Sequence, residues 1–317
     1  MSVARGARRP DFFIVGAPKS GTTAMYAYLR SHPGLFLPER KELRYFGADL
    51  DIRNRVALTE DEYLAHFRDA PVEALVGTGY VWYLYSRTAA REIHDFNPNA
   101  RIIVMLRDPV SMLHALHSEH LSNGNEDIED FELALAAELD RRAGRRIPRQ
   151  AHLPQGLLYS EVPRYAEQLE RYFDAFGREQ VHVILFDDFV AAVEEAYRGT
   201  LRFLGVPDGH RPASFEVVNP NRKIRSQRLR AVLSQPPELP RRVIRRLVPA
   251  RLRRAAFARV KELNVQVAPR PPLDPDVARR LQEAFADEVV RLERLLGRDL
   301  SVWKQPVASA GVDGTLA

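Results

Sequence analysis

The chain reads as an α/β fold, a three-layer sandwich in which a central parallel sheet is flanked by helices. Two observations predict it. Short apolar runs alternate with helical periodicity along most of the 317 residues, the layout of βαβ units with right-handed crossovers. Two of those runs, Arg101–Leu106 and Val181–Phe186, are mostly apolar rather than alternating, as in strands covered on both faces.

In order, the strand Phe12–Val15 leads into a glycine-bounded turn and the helix Thr22–Ser31. The strand Ala74–Gly77 is followed by the helix Thr88–Phe96, and the strand Arg101–Leu106 by the helix Val110–Leu121. Ser122–Asp130 is polar and contains glycine, so it reads as a loop. Helices Phe131–Arg142 and Val162–Phe176 precede the strand Val181–Phe186. Proline-rich Gln235–Pro240 introduces a basic segment, residues 241–261, where Val243, Ile244, Leu247, Leu252, Phe257 and Val260 can share one helical face. That segment reads as a lid or packing helix within an insertion, residues 236–272. A helix from Asp274 to Leu296 follows, capped by Asp274 and stopped at Gly297. The expected domain is 11–304, with loose tails at 1–10 and 305–317.

Composition narrows the function. With 45% hydrophobic and 28% charged residues the chain suits one large domain. It has no cysteine, which excludes a disulfide framework and cysteine metal sites and fits a cytoplasmic location. The net charge of +5 comes with no recognisable nucleic-acid motif, and a small polyanionic ligand accounts for it. No stretch reaches membrane-spanning length.

The turn after the first strand, Gly16–Thr23, reads GAPKSGTT. Strand, turn and helix N-terminus make an anion cradle of backbone N–H groups. The glycine spacing is that of a Walker A loop, yet Thr22 stands where that loop has lysine, and Lys19 lies inside the turn. An ATP-dependent small-molecule kinase needs the lysine after Gly21, so that alternative is disfavoured. A non-catalytic nucleotide-binding protein is the other alternative.

Pro18-Lys19-Ser20-Gly21-Thr22-Thr23 resembles the phosphosulfate loop, PK(S/T)GTT, of sulfotransferases that use 3′-phosphoadenosine 5′-phosphosulfate (PAPS). Arg107-Asp108-Pro109-Val110 resembles their second turn, R(N/D)PV, but Ala115 stands where the family has a 3′-phosphate serine; Ser111 or Ser118 are possible substitutes. Weaker similarities run in order to Trp303. Lys41–Phe46 resembles the (K)ExxFF segment of the bacterial and carbohydrate, heparan-type branch. Gly77–Ser86, with Thr78 in place of glutamate, and Gly156–Tyr159 resemble two further segments. Asn219–Leu229 resembles a late basic loop.

The resemblance implies a P-loop-like fold and metal-free transfer of a sulfuryl group, with adenosine 3′,5′-bisphosphate (PAP) as product. It implies that Pro18, Lys19, Ser20, Gly21, Thr22 and Thr23 hold the 5′-phosphosulfate. Arg107 and Ser111 would take the 3′-phosphate, closed over by residues drawn from Arg222, Lys223, Arg225 and Ser226. Tyr159 would touch adenine. Glu42, at the glutamate of ExxFF, is the first candidate for the base. His117, one of the evenly spaced His114, His117 and His120, is the rival; a metal site on those histidines is not expected. Tyr45, Phe46, Tyr80, Trp82 and Tyr83 are placed on the acceptor side, compatible with a carbohydrate, a lipid or a small metabolite.

Overall fold

The computed structural model describes residues 8–53, 58–215, 222–224, 265–267 and 270–305. Five strands, β1 (Phe12–Gly16), β2 (Leu35–Phe36), β3 (Leu75–Gly79), β4 (Arg101–Leu106) and β5 (Val181–Leu185), form one sheet in the order β2-β3-β1-β4-β5. Every pairing is parallel. The edge strand β2 was not foreseen: its two residues lie between Gly34 and Pro38, too short a run to show a period.

Side chains on a strand point alternately to opposite faces, so β1 feeds two cores. Phe13 and Val15 join Ile102, Val104 and Leu106 on one face. Phe12 and Ile14 join Ile103, Met105 and Ile184 on the other. Helices α3 (Ala89–Phe96), α4 (Pro109–Asn123) and α7 (Tyr165–Phe176), with α10 (Pro275–Leu296), cover the first face. Helices α1 (Thr22–Arg30), α8 (Phe186–Ala191) and α9 (Val193–Leu204) cover the second. These layers are the expected sandwich. At Gly77 a Cβ would sit 2.0 Å from the Phe12 ring, so glycine there lets Phe12 lie flat across β3.

Three boundaries differ from the sequence reading. A short helix, α2 (Glu60–Ala65), is closed by a capping box between Thr59 and Glu62. The expected helix Phe131–Arg142 divides at Ala137 into α5 (Phe131–Ala136) and α6 (Glu138–Arg142). Helix α7 starts three residues late, at Tyr165. Strands β6 (Arg222–Ile224) and β7 (Val265–Val267) pair antiparallel. The amphipathic segment 241–261 lies outside the described residues, as do both expected tails apart from Arg8–Pro10 and Gln305.

Candidate active site

Strand β1 lies between β3 and β4: the chain runs from β1 outward to β2 and back to β3 on one side, then crosses to β4 on the other. In open α/β sheets ligands bind at such a point, outside the carboxyl ends of the strands. The candidate residues gather there.

The loop after β1 is held by core packing and by the Ala17 N–H, which donates to Met105 of β4 at 2.7 Å. Pro18 and Ser20 are buried, and the Ser20 hydroxyl donates back to the Pro18 carbonyl at 3.2 Å. Lys19 (φ 58°) and Gly21 (φ 85°) are left-handed, which reverses the chain sharply into α1. A side chain at Gly21 would be strained by that φ, and its Cβ would approach the Phe189 ring to 3.1 Å. No side chain caps α1. The first amides of α1 and its positive end therefore face the loop without a side-chain partner.

Arg107 follows β4 directly. Its guanidinium lies 4.5 Å over the Phe186 ring and donates to the Lys19 carbonyl at 3.3 Å, which joins the second turn to the first. Asp108 caps α4 by accepting from the Ser111 N–H at 2.8 Å, with Pro109 in the first turn. Burial pushes the Asp108 carboxyl up, against the pull of those hydrogen bonds. Ser111, Ala115 and Glu119 follow at i+4 spacing on one face of α4. Ala115, in place of the family serine, is fully packed.

Glu42 sits at the end of β3 with a left-handed backbone (φ 66°). Its N–H donates to Gly79 at 3.1 Å. Its two carboxylate oxygens accept from the Lys41 ammonium at 2.6 Å and the Val81 N–H at 3.2 Å. Lys41 also reaches the Thr22 hydroxyl at 3.5 Å. Lys19 meets Glu119 of α4 in an ion pair. Thus Lys19, Arg107 and Glu119 form one linked set, and Thr22, Lys41 and Glu42 form a second.

Lys41 and Glu119 were not among the sequence candidates. The only signal for Glu119 was its spacing from Ser111 and Ala115, and a charge on a helix ordinarily reads as solvated. Burial pushes the Glu119 carboxyl up. The Lys19 charge and hydrogen bond, helped by His120 and Lys41, outweigh this and hold it below the usual value.

Other candidates stand elsewhere. His117 is buried among Phe131 and Tyr159, and its Nε2 lies 2.9 Å from the Ile128 carbonyl. Donation there leaves Nδ1 as the basic nitrogen of the buried ring. Burial lowers its affinity for protons. Tyr159 is fully buried and gives its hydroxyl to Glu126 at 3.0 Å, so it presents no face to adenine. Glu126 in turn pairs with Arg141 behind α4.

The aromatic residues placed on the acceptor side are mainly core. Tyr83 is wholly enclosed, Phe46 and Tyr80 are buried, and Tyr45 stacks on Tyr63 with an 11° interplanar angle. Trp82 is partly exposed and stacks on the buried His120 ring with a 21° interplanar angle. Arg222 and Lys223 belong to β6, which lies beside α4. Arg225 and Ser226 lie outside the described residues. Among the described residues no helix is long and apolar enough to cross a membrane.

Comparison with known proteins gives a consistent result. A family profile described as "Sulfotransferase domain" matches residues 9–229. Human carbohydrate sulfotransferase 15 is 25% identical over 249 residues, covering 62% of this chain and 44% of that protein. Human bifunctional heparan sulfate N-deacetylase/N-sulfotransferase 3 is 27% identical over 209 residues, 63% of this chain and 22% of that protein. The chain spans less than half the length of these curated relatives. Among solved structures, a sulfotransferase from Alicyclobacillus acidocaldarius superposes with a TM-score of 0.70 at 28% identity, covering 94% of this chain and all of that one.

Proposed function

This chain belongs to the sulfotransferase domain family, and on that premise we propose that it transfers a sulfuryl group from PAPS to an acceptor hydroxyl, or less readily an amine. The observation that carries the reading is the junction of the two turns, where Arg107 donates to the carbonyl of Lys19. It brings the Arg107 guanidinium to the loop that carries Lys19 and precedes the uncapped start of α1, a donor set suited to a nucleotide with two separate anionic groups.

The transfer is in-line, and the protein's part is to position groups and stabilise charge. PAPS supplies the sulfuryl group and leaves as PAP. Lys19 would neutralise the charge that develops on the bridging oxygen. The amides of Ser20 to Thr23 and the hydroxyls of Thr22 and Thr23 would hold the 5′-phosphate. Arg107 and Ser111 would hold the 3′-phosphate, with the segment around Arg222, Lys223, Arg225 and Ser226 closing over it. Two lysines and an arginine supply the positive charge that a metal ion supplies in kinases.

Glu42 is the proposed base. Its carboxylate stands beside the loop and is only partly shielded. His117 is set aside because its ring is buried beside Phe131 and Tyr159, where burial lowers its affinity for protons. A carbohydrate is the favoured acceptor class, because the curated relatives are named for carbohydrate and heparan sulfate substrates.

Calorimetric titration with PAP, compared with ATP and Mg²⁺, tests the reading. Metal-independent binding of PAP supports it. Binding of ATP–Mg²⁺ without PAP would replace it with a kinase.

A further inference from the structure

We propose that Glu119 is a specificity-determining residue of the donor site: an internal anion that occupies Lys19 until a ligand carrying a 5′ anionic group displaces it. The inference rests on the donor reading above.

Both partners are placed by rigid elements. Lys19 sits in a left-handed turn whose carbonyl is held by Arg107. Glu119 stands on α4, one turn beyond the packed Ala115. The pair is partly shielded, with the two side chains 23% and 41% exposed. An incoming 5′ group needs the same ammonium. A ligand with that group must break the pair, so the pair's free energy is subtracted from its affinity. A ligand without it leaves the pair intact and is indifferent to Glu119. The carboxylate thus weakens the grip on both PAPS and PAP and raises the charge a ligand needs at its 5′ end.

Displacement also changes the carboxylate. The cations around it are Lys19 from the loop, Lys41 from the segment before β3 and His120, when protonated, from its own helix. Loss of Lys19 removes the strongest of these while the burial remains. A carboxyl left in that state binds protons more readily. Donor binding therefore shifts Glu119 toward proton uptake, to an extent limited by its 41% exposed side chain.

Titration of the full chain and of Glu119→Gln with PAP and with adenosine 3′-monophosphate tests this. Each titration is run in two buffers of different ionisation heat. The glutamine keeps the shape and removes the charge. The variant is expected to bind PAP about three- to tenfold more tightly, on the scale of a partly screened ion pair. Its affinity for the 3′-monophosphate stays unchanged, and its proton uptake with PAP falls below that of the parent. In a Lys19→Met background the same substitution is expected to have no such effect. Equal affinity of parent and variant for PAP overturns the inference, as does an equal shift for both ligands. Failure of parent and variant alike to bind PAP removes the donor reading and this inference with it.

Discussion

The Arg141 guanidinium and the Glu126 carboxylate meet at 2.7 Å with both side chains wholly shielded from water. Glu126 also accepts from the Asp127 and Ile128 amides at Oε1 and from Tyr159 at Oε2, so both oxygens are engaged. A pair of this kind contributes little net stability while intact, but removing one partner leaves a buried charge alone. Arg141→Met is expected to destabilise the chain by about 3–5 kcal/mol in urea unfolding. An unchanged midpoint and slope would show that water reaches the pair.

Lys19→Ala removes the ammonium from the loop while the turn keeps its core anchors. Turnover is expected to fall about a hundredfold or more, the scale of losing one group that stabilises developing charge. Thermal unfolding should move little, because the side chain is partly exposed. A folded variant with full activity would remove Lys19 from its role.

Glu42 and His117 separate cleanly by paired substitutions. Glu42→Gln is expected to lower kcat by about 10²–10⁴ while PAP binding is retained. His117→Ala orphans the Ile128 carbonyl and opens a space beside Phe131 and Tyr159, so it should lower stability and leave kcat of the folded fraction near that of the parent. The reverse pattern would make His117 the base.

His120 makes stability depend on pH. Burial pushes its imidazole down from 6.5 to about 4, against the opposing charges of Glu119 and Glu126. The unfolded chain therefore binds the proton first as pH falls. The stability gained by keeping His120 neutral is complete above about pH 6.5 and is lost as pH falls through about 4. The loss between pH 7 and 4.5 is at most about 3 kcal/mol from this group. Urea unfolding at both pH values should show a smaller difference in His120→Phe than in the parent. An equal difference in both proteins would assign the acid sensitivity to other groups.

The strands at the site were legible because they are buried on both faces and bounded by turn residues, as Arg101–Leu106 shows. The strand, turn and helix around Lys19 were legible because the glycine spacing and the apolar run before it are local. What the sequence hid was pairing across the chain. Lys19 and Glu119 are 100 residues apart, and nothing local marks a helix glutamate as the partner of a loop lysine. The aromatic cluster failed for another reason. Tyr45, Phe46, Tyr80 and Tyr83 carry the same residue types whether they stack on a ligand or on each other, and here they pack together. Tyr159 and His117 were lost to Glu126 and to a backbone carbonyl, partners that only the folded α4 brings near.

The Ala17 N–H bonded to Met105 has a consequence for the ligand. It locks the first loop in register with β4, two residues before Arg107. The separation between the two turns is therefore set largely by one backbone rung of the sheet, with the Arg107 side chain as a second tie. Under the proposed function, substitutions at Lys19 or Ser111 are expected to change how strongly a ligand is held. They leave that rung in place, so under the same proposal it acts as a gauge for the span between a ligand's charged ends.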